Sequence, residues 1–127
     1  MDNAGKLLEI VSLSENLMKS QSTSGLLRLK ILYFASVYEN LSVSMIIEKL
    51  GIKKSNFALM TTELSAQGLV TLKQTEIDRR CRTISLTEKG REELNAYIKQ
   101  IEHCLGATSL EVERSINILL DYLNKIV

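Results

Sequence analysis

Basic side chains concentrate in the middle of the chain, and they are the residues whose type and spacing could do chemistry. Between Ser42 and Arg91, nine lysines and arginines stand against five acidic residues, a net charge of +4, whereas the whole chain carries only +1. The flanks are therefore acidic when taken together. Lysine and arginine bind phosphate groups, so the charge pattern predicts that any polyanion contacts the central segment.

The other reactive side chains form no catalytic or metal-binding pattern. The chain has one histidine, His103, and two cysteines, Cys81 and Cys104, without CxxC spacing. His103 and Cys104 are adjacent, so on a helix they would point in different directions and could not act as a base and a nucleophile. No Gly-rich phosphate loop or spaced carboxylate cluster is present. We therefore expect no enzymatic activity, no metal and no cofactor, and we expect both cysteines to be reduced thiols.

The composition indicates one compact, mainly helical domain over residues 1–127. Of these residues 45% are hydrophobic, none is proline and six are glycine, which favours long helices over β-sandwiches, barrels or disordered tails. The start of the chain has no basic leader. No apolar run approaches the roughly 18 residues that a bilayer span requires, so we expect a cytoplasmic protein without membrane contact.

Apolar residues at helical spacing predict six helices. The first covers residues 4–19, and the second, the most apolar, runs from the polar break at 21–24 to about Glu39. Ser42 is expected to cap a short third helix that ends at Gly51, and the fourth runs from Lys53 or Lys54 to about Gln67. Thr87 would cap a fifth helix ending at Gly106, and a Thr108–Glu111 capping box would start the sixth.

Two segments alternate apolar and polar residues, as β-strands do. They are residues 69–74 and 82–86, separated by a charged stretch that would form a hairpin tip. The order helix, turn, helix, hairpin is that of a winged helix. The predicted fold is therefore mainly α (α+β), a winged helix-turn-helix with a two-stranded β-hairpin wing and flanking helices.

Four blocks of the chain resemble, in order and spacing, the DNA-binding core of the MarR family. They are SVSMIIEKLGI at 42–52, LSAQGLV at 64–70, DRR at 78–80 and LTEKG at 86–90. The resemblance implies that residues 42–91 form the winged helix-turn-helix and that residues 1–20 and 92–127 form dimerisation helices. It also implies that the fourth helix enters the major groove of DNA and that a wing arginine enters the adjacent minor groove.

Carried onto this chain, the resemblance implies a set of DNA-contacting residues. Arg80 matches the wing arginine, and Asp78 would orient the arginines around it. Side chains of the fourth helix would meet phosphates, base edges or a thymine methyl group, with Ser55 and Asn56 the best candidates for base contacts. The full predicted DNA-binding set is Lys53, Lys54, Ser55, Asn56, Leu59, Thr62, Lys73, Arg79, Arg80 and Arg82.

The resemblance also implies a homodimer that binds a pseudo-palindromic operator and acts as a transcription regulator, most simply a repressor. Leu7, Val11, Leu119 and Leu123 are the predicted interface residues. Two-fold symmetry would place the two recognition helices about 34–36 Å apart, on successive faces of the major groove. In this family, small-molecule effectors often bind between the dimerisation helices and the DNA-binding part, and they shift its conformational population.

A second class of function fits the same fold. Ala58 and Leu59 stand where the family often has a hydroxyl and a basic side chain, and the net charge of the chain is close to zero. Both features would suit a winged-helix protein-interaction module or antirepressor that does not bind DNA. Strong salt dependence of DNA binding would separate the two classes.

Overall fold

The computed structural model describes residues 2–19, 25–38, 42–74 and 82–127. The helices are α1 (Asn3–Lys19), α2 (Leu26–Val37), α3 (Val43–Leu50), α4 (Lys54–Ala66), α5 (Glu88–Leu105) and α6 (Leu110–Ile126). The strands β1 (Val70–Gln74) and β2 (Arg82–Leu86) lie between α4 and α5. All eight predicted elements are confirmed, and their described ends fall within one or two residues of the predicted ones.

The core forms around α2, as the apolar character of this helix predicts. Ile31, Leu32 and Ala35 of α2 are fully buried, together with Ile46 of α3, Leu64 of α4 and Ile84 of β2. Removal of apolar surface from water is the main stabilising contribution in a small domain. α2 is not buried all round, however, because Tyr33 and Val37 are 46% and 51% exposed.

One charged pair connects α2 to α5, and the sequence analysis did not predict it. Arg28 Nη2 donates to Glu93 Oε1 at 2.9 Å, and the hydroxyl of Tyr97 donates to the same oxygen at 3.3 Å. The side chains of Arg28 and Glu93 are only 11% and 27% exposed. A charge this poorly hydrated requires a partner, so the pair fixes how the two helices meet.

Side-chain caps define several helix ends. Ser42 accepts a hydrogen bond from Met45 N, and Thr87 accepts one from Gly90 N, as predicted. The predicted cap of the last helix was wrong: its N-cap is Ser109, whose hydroxyl accepts from Val112 N, and Thr108 precedes it. The polar break at 21–24, whose hydroxyl residues could cap α2, lies outside the described residues. The N-cap of α2 in the structure is Gly25, which makes no side-chain cap.

The hairpin is a two-stranded antiparallel sheet joined to the helices at one edge. Val70 pairs with Leu86 and Gln74 with Arg82, so the register is regular over five residues. Ser42 adds an isolated antiparallel bridge to Thr83 of β2. The residue that caps α3 therefore also attaches the wing to the helix-turn-helix.

Candidate nucleic-acid interface

The turn between α3 and α4 sets the angle at which α4 leaves the core. Gly51 ends α3 in the left-handed region, with φ 65° and ψ 33°, a conformation that glycine adopts without the steric cost of a Cβ atom. Its N–H donates to the carbonyl oxygens of Ile47 and Glu48 at 3.0 and 3.2 Å. Two residues later, Lys53 is the N-cap of α4 and makes no side-chain cap.

α4 has one buried face and one exposed face. Phe57, Thr61 and Leu64 are buried, and the Thr61 hydroxyl donates to the carbonyl of Phe57 at 2.9 Å, so this buried polar group is satisfied. Ser55, Asn56 and Thr62 are exposed on the other side, and Leu59 is 75% exposed. All the residues predicted on α4 to contact DNA therefore point into solvent.

The wing places one further basic residue, Arg82, beside α4. Lys73 of β1 is exposed as well, but it pairs with Thr83 and lies on the face of the hairpin opposite to Leu72 and Arg82. A shallow groove between α4 and the wing is lined by Arg82 and Leu72 on one side and by Lys54, Ala58 and Thr62 on the other, above Val43 and Ile47 of α3. Lys54 and Arg82 thus lie on the two sides of a common concave surface, which is the kind of surface that phosphates bind.

Residues 75–81, which join β1 to β2 in the chain, lie outside the described residues. Arg79 and Arg80, which the family resemblance assigns to DNA, and Asp78, which it assigns to orienting them, all belong to residues 75–81. Their predicted roles stay predictions.

Some of the central basic residues make contacts within the protein instead. The Lys89 ammonium group donates to the carbonyl of Gln67 at 3.0 Å, and Lys49 Nζ lies 4.9 Å from the centroid of the Tyr38 ring. The count of basic residues in the sequence could not separate these two from Lys54 or Arg82. Only the positions of their partners in the fold do so.

A hydrogen-bonded junction holds α4, the wing and α5 together. The Thr87 hydroxyl donates to the carbonyl of Gly68 at 2.6 Å while accepting from Gly90 N at 3.0 Å. The same residue's backbone N–H donates to the carbonyl of Leu69 at 3.0 Å. Sequence reasoning found the cap but not the second bond, which ties the end of α4 to the start of α5.

The terminal helices expose much of their apolar surface. α1 and α6 contain no buried residue, and among the predicted interface residues Val11 is 46% exposed while Leu7, Leu119 and Leu123 are half-buried. α6 alone exposes Ile116 (52%), Ile118 (69%), Leu120 (56%) and Tyr122 (59%). A single chain leaves these side chains in water.

Within the described ranges, no three His, Cys, Asp or Glu side chains are grouped so that they could hold a metal ion. No helix in the same part of the chain is long and apolar enough to cross a bilayer.

Comparison with solved structures finds close matches to the whole fold. A MarR-family regulator from Rhodococcus sp. RHA1 matches with a TM-score of 0.80 at 18% identity, covering 98% of this chain and 93% of that one. A MarR-family regulator from Silicibacter pomeroyi matches with a TM-score of 0.78 at 19% identity, covering 98% and 90%. Apo MarR from E. coli matches with a TM-score of 0.76 at 14% identity, covering 97% and 98%. At these identities the likeness establishes the fold.

Sequence comparison gives the family. No curated protein matches the chain. A family model described as a winged helix DNA-binding domain matches residues 27–105, from α2 to the end of α5. This match agrees with the prediction of a protein without enzymatic activity. The chain therefore belongs to the winged helix DNA-binding domain family, and its full-length fold is that of the MarR-family regulators.

Proposed function

We propose that this protein is a homodimeric transcription regulator that binds a pseudo-palindromic duplex, with α4 of each chain in the major groove. The observation that carries the proposal is the groove between α4 and the wing. It brings Lys54 and Arg82 to opposite sides of one concave surface, next to the solvent-facing Ser55 and Asn56. Cations would bind the phosphates and fix the register, and the polar side chains of α4 would contact base edges.

The N-terminal end of α4 is suited to approach a phosphate. Lys53 and Lys54 stand at this end, and the first N–H groups of the helix have no side-chain cap. Unpaired N–H groups and the helix dipole favour an anion at a helix N-terminus, and the two lysines add formal charge. Recognition helices of helix-turn-helix proteins enter the groove with this end.

The exposed apolar surface of α1 and α6 supports a dimer. A helix of 17 residues without one buried side chain gains little stability from packing on its own chain, whereas isologous pairing with a second copy would remove Ile116 and Leu120 from water. Leu7, Val11, Leu119 and Leu123 remain our proposed interface residues. Dimerisation would also present two copies of α4 with the symmetry of a palindromic site.

The wing tip would contribute the minor-groove contact. Arg79 and Arg80 belong to residues 75–81, which join β1 to β2 in the chain. The resemblance to the MarR family supports Arg80 as the side chain that enters the minor groove, with Asp78 orienting it. A narrow A·T-rich minor groove has the negative potential to hold a guanidinium group.

The test is a titration of the purified protein against genomic DNA fragments at two salt concentrations. We expect selective binding of a few fragments. Because phosphate neutralisation releases counterions, we also expect a steep loss of affinity at the higher salt concentration. The bound species should contain two chains. Failure to bind any fragment at low salt would reject the proposal.

The second candidate is a protein-interaction module without DNA binding. The 75% exposure of Leu59 on the outer side of α4 favours it, because apolar side chains at the centre of a surface are common at protein interfaces. In that case the fragment titration would show no binding at either salt concentration.

A further inference from the structure

The outermost stripe of α4 has an exposed leucine at its centre. Ser55, Leu59, Thr62 and Ala66 recur at spacings of four and three residues, and they lie opposite the buried Phe57, Thr61 and Leu64. All four are exposed, Leu59 at 75%. Beyond Ser55, the side that would face the floor of a groove therefore presents methyl groups at its centre.

The hydrogen-bond donors on this face are fewer than its residue types suggest. The Thr62 hydroxyl donates to the carbonyl of Ala58 at 2.8 Å, so its proton is not available to a base. The methyl group of Thr62 is still free to contact an apolar group of the DNA. No lysine, arginine or glutamine occurs between Ser55 and Ala66. Ser55 and Asn56, at the first turn, are the donors that this part of α4 offers to a base edge.

The bases of DNA differ in what they require from such a surface. The major-groove edge of guanine presents two acceptors, N7 and O6, which lysine or arginine satisfies with paired donors. Thymine presents a C5 methyl group beside one acceptor, and an apolar side chain contacts that methyl favourably. A leucine facing guanine would leave two acceptors without partners, which costs free energy on binding.

Charge around the stripe favours DNA over a protein as the occupant. Lys53 and Lys54 precede the stripe at the start of α4, and Arg82 lies on the wing beside it, all three of them exposed. An apolar centre with cations at its N-terminal end and on the wing side suits a groove bordered by phosphates. Glu63 follows Leu59 by four residues and is exposed as well, so the positive charge is confined to those two borders of the stripe.

We infer that each half-site of the operator contains a thymine whose C5 methyl group contacts Leu59, and that guanine is disfavoured at that position. The inference rests on the proposed function, since it names the base chemistry that the same α4 surface recognises. Leu59 is then a specificity-determining residue. The phosphate contacts of Lys54 and Arg82 would supply affinity without regard to sequence.

The experiment removes single methyl groups from the DNA. A duplex is selected from a random-sequence library with the purified full chain. The thymines of the half-site are then exchanged for uracil one position at a time, and each exchange is made at the same position of both half-sites. Uracil keeps the pairing groups of thymine and lacks only the methyl. We expect one such exchange to weaken binding about sixteenfold, or about fourfold per methyl group. For Leu59→Ala, we expect the same exchange to change the affinity less than twofold.

A matched variant separates loss of the methyl contact from general weakening. Asn56→Ala should lower the affinity for every duplex while keeping the thymine-to-uracil ratio of the unmodified protein. Because Leu59 is largely exposed, Leu59→Ala should keep the thermal unfolding midpoint of the parent, which a melting curve checks.

Salt-dependent binding without sensitivity to any thymine, or with sensitivity that persists in Leu59→Ala, overturns this inference and leaves the proposed function standing. No binding to any library duplex overturns both.

Discussion

Gly90 of α5 lies directly against the carbonyl group of Leu69, just before β1. A Cβ atom at Gly90 would overlap the Leu69 carbonyl oxygen and would lie 3.0 Å from its carbonyl carbon. The same carbonyl accepts the N–H of Thr87. The first turn of α5 and the base of the wing are therefore in backbone contact, and only glycine fits between them.

Gly90→Ala should destabilise the protein, although alanine is the better helix former. In an open helix this exchange adds about 0.5–1 kcal/mol of stability, because glycine loses more conformational freedom on folding. Here the overlap with Leu69 should reverse the sign and lower the free energy of unfolding by about 1–3 kcal/mol. Urea denaturation followed by circular dichroism measures it.

The control for Gly90→Ala is Asn95→Ala, an exposed position of the same helix. It should change the free energy of unfolding by less than about 0.5 kcal/mol. A Gly90→Ala protein as stable as the parent would show that Gly90 and Leu69 are not in contact in solution.

Thr87→Ala should also destabilise the junction, by about 1–2 kcal/mol, because it removes both the cap of α5 and the bond to the carbonyl of Gly68. Thr87→Ser keeps a hydroxyl able to make both bonds and should retain most of the stability. Thermal unfolding of the three proteins checks this order. Equal losses in the serine and alanine variants would mean that the threonine methyl group, and not its hydroxyl, is what matters.

Leu120→Glu should separate the proposed dimer into monomers. Leu120 is 56% exposed in the single chain, where such a substitution should alter stability little, but in an interface it would place a charge among apolar side chains. Sedimentation velocity at micromolar concentration gives the oligomeric state. Asn117→Glu, also exposed on α6, adds the same charge outside the apolar set and should leave the dimer intact. A parent protein that sediments as a monomer contradicts the proposed assembly.

Arg80→Ala should weaken binding to a selected duplex about tenfold or more, since two wing tips contact each duplex, while helix content and oligomeric state stay unchanged. Fluorescence anisotropy gives the affinity and circular dichroism the helix content. Lys99→Ala removes a cation from the exposed side of α5 and serves as the comparison. If Arg80→Ala binds as tightly as Lys99→Ala, the wing tip does not contact the DNA.

The order of elements could be predicted because its signals are local. Ser42 and Thr87 cap the helices that follow them, Gly51 and Gly106 end the helices that precede them, and the alternation in β2 fixed its ends correctly. The error at the start of α6 is also local in origin. Thr108 and Ser109 are adjacent hydroxyl residues, and the Thr108–Glu111 spacing favoured the wrong one. The extended backbone of Ser109, with φ −70° and ψ 160°, decides between them.

Contacts between distant segments could not be predicted in the same way. Arg28 and Glu93 are 65 residues apart, and the apolar pattern of α2 gave no sign that a charged side chain would be held inside. The bridge from Ser42 to Thr83 and the bond from Lys89 to Gln67 likewise depend on how the elements pack. The candidate site was predicted residue by residue on α4. Its groove, with Lys54 facing Arg82, became visible only in three dimensions.

The central claim is that α4 and the wing of each of two chains bind duplex DNA. The salt dependence of the affinity for DNA tests this claim most directly. Lys53, Lys54, Lys73 and Arg82 from two chains could neutralise about eight phosphates, which sets a slope of roughly −7 for the logarithm of the binding constant against the logarithm of the salt concentration. Lys54→Ala should make this slope shallower by about 2, and Lys99→Ala should leave it unchanged. An affinity that does not depend on salt, or a Lys54→Ala slope equal to that of the parent, would contradict the account.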